Sequence, residues 1–258
     1  MMKIFHLMFL IVTLVLTGCK GQKEADLKLA QNVVDKAIKV AGGEGFKTSE
    51  IEFDFRDRHY KAERNGGKFQ FERIWKDSVN AFRDVLSNSG FQRYINDSMV
   101  SVPDTMAVKY TSSINAIHYF SILPYGLNDK AVNKYYLGTV EIKDKSYHKI
   151  RITFDEDGGG EDYDDIFVYW INTETYSVDY LSYSYVEDHN DIGLRFREAY
   201  NRRAVNGLTF TDHNNFMSED TLATVENLDS LFVANKLKLL SKIELENIKV
   251  NLWSTPDR

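Results

Sequence analysis

The stretch Asp155-Glu156-Asp157-Gly158-Gly159-Gly160-Glu161-Asp162-Tyr163-Asp164-Asp165 gathers the densest set of groups able to do chemistry. Carboxylates around three glycines can fold oxygen ligands about a hard cation, with Asp155, Asp157 and Asp162 as the candidate Ca²⁺ ligands. The spacing does not follow the EF-hand pattern, so a solvated loop, or one neutralised by Arg195, Arg197, Arg202 and Arg203, is the preferred reading. His59, His118, His148, His189 and His213 are scattered without HxH, HxxxH or HExxH spacing, which argues against a zinc site. His118 falls in an apolar run and reads as a hydrogen-bonded core residue. Asp188-His189 and Asp212-His213 are adjacent pairs, and neighbours on a strand point to opposite faces, so neither is evidence for a dyad. There is no GxSxG elbow, no phosphate-binding or dinucleotide glycine pattern, and a single cysteine. The reading leans away from catalysis and implies no cofactor. Because carboxylates are numerous, a glycan or lipid hydrolase stands as an alternative.

That cysteine closes the segment Leu16-Thr17-Gly18-Cys19, behind Lys3 and the apolar run Ile4 to Leu16. Residues 1–18 look like a signal peptide whose end resembles the bacterial lipobox, and the resemblance implies that Cys19 becomes diacylglyceryl-modified and N-acylated. Such a group exceeds the two anchoring signals that stable membrane attachment requires, so the expected protein sits on a leaflet without spanning it. No intramolecular disulfide can form, and stability must come from the core. With 43% hydrophobic and 13% aromatic residues the chain has the material for that core. A formal net charge of −6 disfavours nucleic acid as a partner. Lys20 follows the cysteine, and no aspartate stands there; by resemblance to proteobacterial sorting this points to the outer membrane, facing the periplasm or the cell surface. Nothing in the sequence fixes an oligomeric state.

These groups need elements to hold them. Ala30, Val33, Val34, Ala37, Ile38 and Ala41 make one helical face, closed by Gly42-Gly43. From Ile51 the period becomes two, with Ile51, Phe53 and Phe55 on one side. Asn65-Gly66-Gly67, Asn96-Asp97 and Asn206-Gly207 read as hairpin turns. The run Tyr110 to Leu127 is apolar on nearly every side and predicts a buried helix, capped at Ser112 or Ser113, ended by Pro124 and wrapped by a sheet. Strands Ile166 to Asn172 and Tyr176 to Tyr185 carry apolar residues on both faces, so they are either covered twice or turn one face to a cavity. The last strand, from Lys236, slips in its alternation near Asn247, as at a bulge.

The total is about eleven strands in hairpin order, mainly β (α+β): a curled antiparallel sheet or incomplete barrel around an apolar helix, behind an N-terminal amphipathic helix. Residues 19–26 form a tether, 27–253 one domain and 254–258 a polar tail. This order, behind a lipobox, resembles the LolA/LolB lipoprotein-carrier superfamily, which implies an incomplete barrel plugged by helices over an apolar cavity. The segments YTSSINAIHYFSILPYGLND, ITFDEDGGGEDYDDIFVYWIN, VDYLSYSY and LRFREAYNRR resemble an uncharacterised family of outer-membrane lipoproteins of Gram-negative bacteria. No functional residue carries over from either. The expectation is a lipid-anchored envelope protein that binds an acyl chain or a lipidated partner, with Ile114, Ile117, Tyr119, Phe120, Leu123, Trp170 and Tyr183 as cavity walls. The alternative is an interaction lipoprotein with a closed core.

Overall fold

The computed structural model describes residues 2–160, 163–186 and 192–253, with side chains from residue 22 onward. Helix α1 runs Met2–Ala41 and buries Ala30, Val33, Val34, Ala37 and Ala41 along the stripe expected from their spacing. It stops at Gly42, whose φ of +127° favours glycine, and where a Cβ would stand 2.7 Å from a Leu208 methyl and 3.0 Å from the Gly207 carbonyl. The helix end is thereby seated against a hairpin far away in sequence.

Fourteen strands follow rather than about eleven, in two open seven-stranded antiparallel sheets. The first contains β1 (Thr48–Phe55), β2 (Arg58–Asn65), β3 (Lys68–Lys76), β4 (Ala81–Ser87), β5 (Gly90–Ile95) and β6 (Ser98–Val100), with β14 (Glu246–Leu252) on the outer edge of β1. The second runs from β7 (Val132–Ile142) through β8 (Lys145–Phe154), β9 (Phe167–Asn172), β10 (Val178–Val186), β11 (Ile192–Val205) and β12 (Leu208–Ser218) to β13 (Leu237–Ile243). Strands β1, β5, β6, β11 and β12 and the turns at Gly66-Gly67, Asn96-Asp97 and Asn206-Gly207 match the sequence reading.

The three extra strands have physical explanations. The β1–β2 turn is Arg56-Asp57 with Arg56 at φ +57°, so it lacks the glycine or asparagine that marks such turns. Strand β4 turns inward a fully buried carboxylate, Asp84, which accepts from Arg73 (Nη2, 2.7 Å) and Arg93 (Nε, 2.6 Å); its inner face is therefore not apolar and shows no period of two. The irregularity near Asn247 is no bulge in one strand. The chain leaves the second sheet after β13 and pairs with β1 as β14. Arg203 pins the crossing by donating to both Asp212 (Oδ1, 3.0 Å) and the Leu245 carbonyl, while Asp212 Oδ1 accepts from the Leu245 amide at 3.0 Å.

Helix α2, Asp104–Ser121, lies between the sheets, as the wrapping argument expects, but it begins eight residues before Ser112, directly after Pro103. Its first turns carry exposed Met106, Val108 and Lys109, and Ser113 and Asn115 are exposed too, so the helix forms part of a rim and is not buried on every side. Tyr110, Ile114 and His118, at i, i+4 and i+8, turn to the first sheet. There His118 Nε2 donates to the Glu72 carbonyl at 3.3 Å and its ring stacks 4.6 Å from Phe71, as a core histidine should. Arg73 Nη1 donates to Ser113 Oγ at 2.9 Å, and the Arg93 guanidinium lies 3.9 Å from the Tyr110 ring centroid.

The two-faced strands β9 and β10 are covered on both sides. Phe167, Tyr169, Ile171 and Leu181 turn to the inner side, in one core cluster with Ala30, Val33, Val34 and Ala37 of α1 and with Tyr119 and Phe120 of α2. Val168, Trp170 and Tyr180 pack on the other side beneath α3 (Leu228–Val233), through Leu228, Phe232 and Val225. Sequence periodicity did not indicate α3, because six residues are too short to show a stripe.

Candidate functional site

With α2 fixed to the first sheet by its Tyr110–His118 face, the opposite face of the helix presents Ala116, Tyr119 and Phe120 to the second sheet. Between them lies a half-open pocket of about 400 Å³. Phe154 of β8, Phe167 of β9, and Tyr183 and Tyr185 of β10 complete its apolar walls, while Gly159, Gly160 and Asp165 of the acidic loop lie at its edge. Register explains the floor: Tyr183 pairs with Phe167 across β10 and β9, and their rings stack 5.3 Å apart. Phe120 leans on both, at 5.1 Å from Tyr183 and 5.9 Å from Phe167, and Tyr119 meets Phe167 edge-on at 6.2 Å.

Of the seven expected wall residues, Tyr119, Phe120 and Tyr183 line this pocket. Ile114 is fully buried within α2, and Ile117 turns toward the first sheet's Phe53 and Tyr60 cluster. Leu123 lines a second, smaller pocket of about 270 Å³ beside Ala37, Val40 and Val178. Trp170 does not belong to the cavity: strand alternation places it on the opposite face of the sheet from Phe167 and Tyr169, where its Nε1 donates to Asp229 Oδ2 at 3.0 Å under α3.

Asp155 and Asp157 are exposed, Asp155 Oδ1 accepts from Asn133 Nδ2 at 2.7 Å, and Asp162 lies outside the described residues. Among the described residues no three His, Cys, Asp or Glu side chains converge. Nor do the second-sheet arginines all serve the loop: Arg202 pairs with Asp179 at 2.9 Å and Arg203 with Asp212. The side chain of Cys19 is outside the described set.

Sequence reasoning missed the character of Arg197. It stands opposite Leu181 on β11, inside the sheet, and is 8% exposed. Its guanidinium lies 3.9 Å from the Phe120 ring centroid and Nη2 donates to the Tyr183 hydroxyl at 2.8 Å. Among the described residues Nε has no hydrogen-bond partner, and the buried hydroxyls of Tyr119 and Tyr169 have only each other. Burial pushes the Tyr119 hydroxyl up to about 12 and Tyr169 higher, so both remain protonated donors at neutral pH. The available signal was parity: in Leu194-Arg195-Phe196-Arg197 the arginines alternate with residues bound for the outer core.

Two open, curled antiparallel sheets around a helix, with an aromatic pocket at the helix rim, define the class of protein. The chain belongs to the family described as "Family of unknown function (DUF6503)", whose model matches residues 3–246. Among solved structures it is similar to a DUF1329 family protein from Desulfovibrio piger, with a TM-score of 0.47 and 6% identity over 87% of this chain and 92% of that one. It is also similar to a LolA superfamily protein from Nitrosomonas europaea, with a TM-score of 0.44 and 12% identity over 88% and 94%. No curated protein matches the chain.

Proposed function

We propose that the protein is a lipid-anchored component of the bacterial outer envelope that holds an acyl chain, free or attached to a partner, in the pocket between α2 and strands β8–β10. The single observation that carries this is the pocket itself, about 400 Å³ with aromatic walls, a size in the range of small-ligand sites. An alkyl chain gains about 0.8 kcal/mol per buried CH₂, so a few methylenes suffice for measurable binding. Asp165 is the one carboxylate lining the pocket among the described residues, which leaves the hydrolase alternative without a pair of acids there. Anchoring through Cys19 would hold the pocket near the membrane that supplies the ligand.

Ala116 provides the test, because it is half-buried at the pocket wall and not in a close-packed core. In full-chain protein freed of co-purifying lipid, Ala116→Leu should weaken binding of a fluorescent fatty acid at least about fivefold while the melting temperature stays close to that of the wild type. In a closed core the same change would cost roughly 1–3 kcal/mol by overpacking. A destabilised variant together with a wild type that binds no probe would overturn the reading.

A further inference from the structure

Resting on that acyl-chain reading, we infer that the ligand is a fatty acid whose carboxylate is received at the pocket floor by the hydroxyl of Tyr183, with the Arg197 guanidinium behind it supplying the charge.

The argument starts from an imbalance. Arg197 is buried, and among the described residues no carboxylate lies within ion-pairing distance of it. A buried cation without a counter-ion is costly and is rarely retained without a use. Around it hydrogen-bond donors outnumber acceptors: among the described residues Arg197 Nε lacks a partner, and the enclosed Tyr119 and Tyr169 hydroxyls have only each other. The Tyr183 hydroxyl accepts from Arg197 Nη2, which leaves its own proton to be given away. Tyr183 lines the pocket while its hydroxyl meets Arg197, so this donor stands at the boundary between the apolar cavity and the buried charge, with the Tyr119 hydroxyl enclosed beneath. An acceptor-only group carrying one negative charge satisfies the Tyr183 hydroxyl and neutralises the guanidinium, and the attached chain then lies against Phe120, Phe154 and Phe167. Burial lowers the Arg197 pKa, so its charge is held against a desolvation cost that an anion would offset. A neutral amphiphile gains the same apolar contacts and none of this.

The experiment compares cis-parinaric acid with its methyl ester on full-chain protein freed of co-purifying lipid. Charge-assisted hydrogen bonds in a dry site favour the acid by about tenfold or more. Arg197→Gln should bring the acid to the affinity of the ester and leave the ester within about threefold of wild type. Tyr183→Phe, which keeps the ring, should cut acid affinity severalfold with the ester unchanged. The wild-type comparison decides the matter even where a variant does not fold. Equal affinity for acid and ester would overturn the anion site while the acyl pocket stood. Equal loss of both ligands in folded Arg197→Gln would reduce Arg197 to a packing residue and overturn it as well. Failure of both ligands to bind wild type would instead remove the acyl-chain reading on which the inference rests.

Discussion

Two imidazoles illustrate how far burial governs this molecule. His118 is fully enclosed, and burial first, then the nearby Arg64 charge, pushes it from its usual 6.5 down to about 3. His213 is brought to about 3 by burial and then by Arg197 and Arg202. In the unfolded chain both titrate near their usual value, so between about pH 6.5 and 3 the unfolded state binds more protons than the native one. Stability contributed by these groups is complete above that window and is lost as pH falls through it. Each neutral histidine adds up to about 1.4 kcal/mol per pH unit to the slope. Replacing His118 by Gln, which can still donate to the Glu72 carbonyl, should reduce the dependence of unfolding free energy on pH by about 1 kcal/mol per unit between about pH 4 and 6. An unchanged slope in urea titrations would show that His118 is protonated in the native state.

At the level of elements, the short helix α3 decides what the second sheet can be. It closes the outer face of β9 and β10 by setting Leu228 and Phe232 over Trp170, Tyr180 and Phe196. One buried carboxylate holds it: Asp229 Oδ2 accepts from Trp170 Nε1 at 3.0 Å and from Lys149 Nζ at 2.8 Å, and Lys149 also donates to the Glu226 carbonyl. Asp229→Ala strands an ammonium and an indole N–H in a mostly buried site and should cost about 3 kcal/mol, read from denaturant unfolding. Asp229→Asn, which can still accept from the indole, should cost less than half of that. Equal losses for the two would mean that the Trp170 bond contributes nothing.

For the molecule as a whole, the two sheets are open and the chain crosses between them twice, first through α2, which lies between them, and again at the β13–β14 passage fixed by Arg203 and Asp212. The pocket is bounded by α2 on one side and by Gly159, Gly160 and Asp165 of the acidic loop on another. Under the proposed function, Cys19→Ala should remove the protein from the membrane fraction and leave an unprocessed or soluble species. Wild-type protein found wholly soluble, or processing indifferent to globomycin, would sever the pocket from any anchor.

Local physics made much of this legible in the sequence. The Ala30–Ala41 stripe, the inward parity of Ile51, Phe53 and Phe55, and the Asn-Gly turns are settled within a few residues of themselves. The apolar excess around residues 112–123 and 166–185 also announced that these stretches needed cover on more than one side. What periodicity does not state is what lies across the gap. That Trp170 meets α3 while Phe167, one strand alternation away, meets Phe120 depends on contacts made with α3 and α2, far apart in the chain. Strands β2 and β4 escaped notice because they turn Arg64 and Asp84 inward, where a pattern rule expects hydrocarbon. Arg197 was legible only as a basic residue on a strand. Its burial beside an aromatic pocket, with no carboxylate partner among the described residues, exists only once β10, β11 and α2 are packed together, because desolvation belongs to the assembled surroundings and not to the residue.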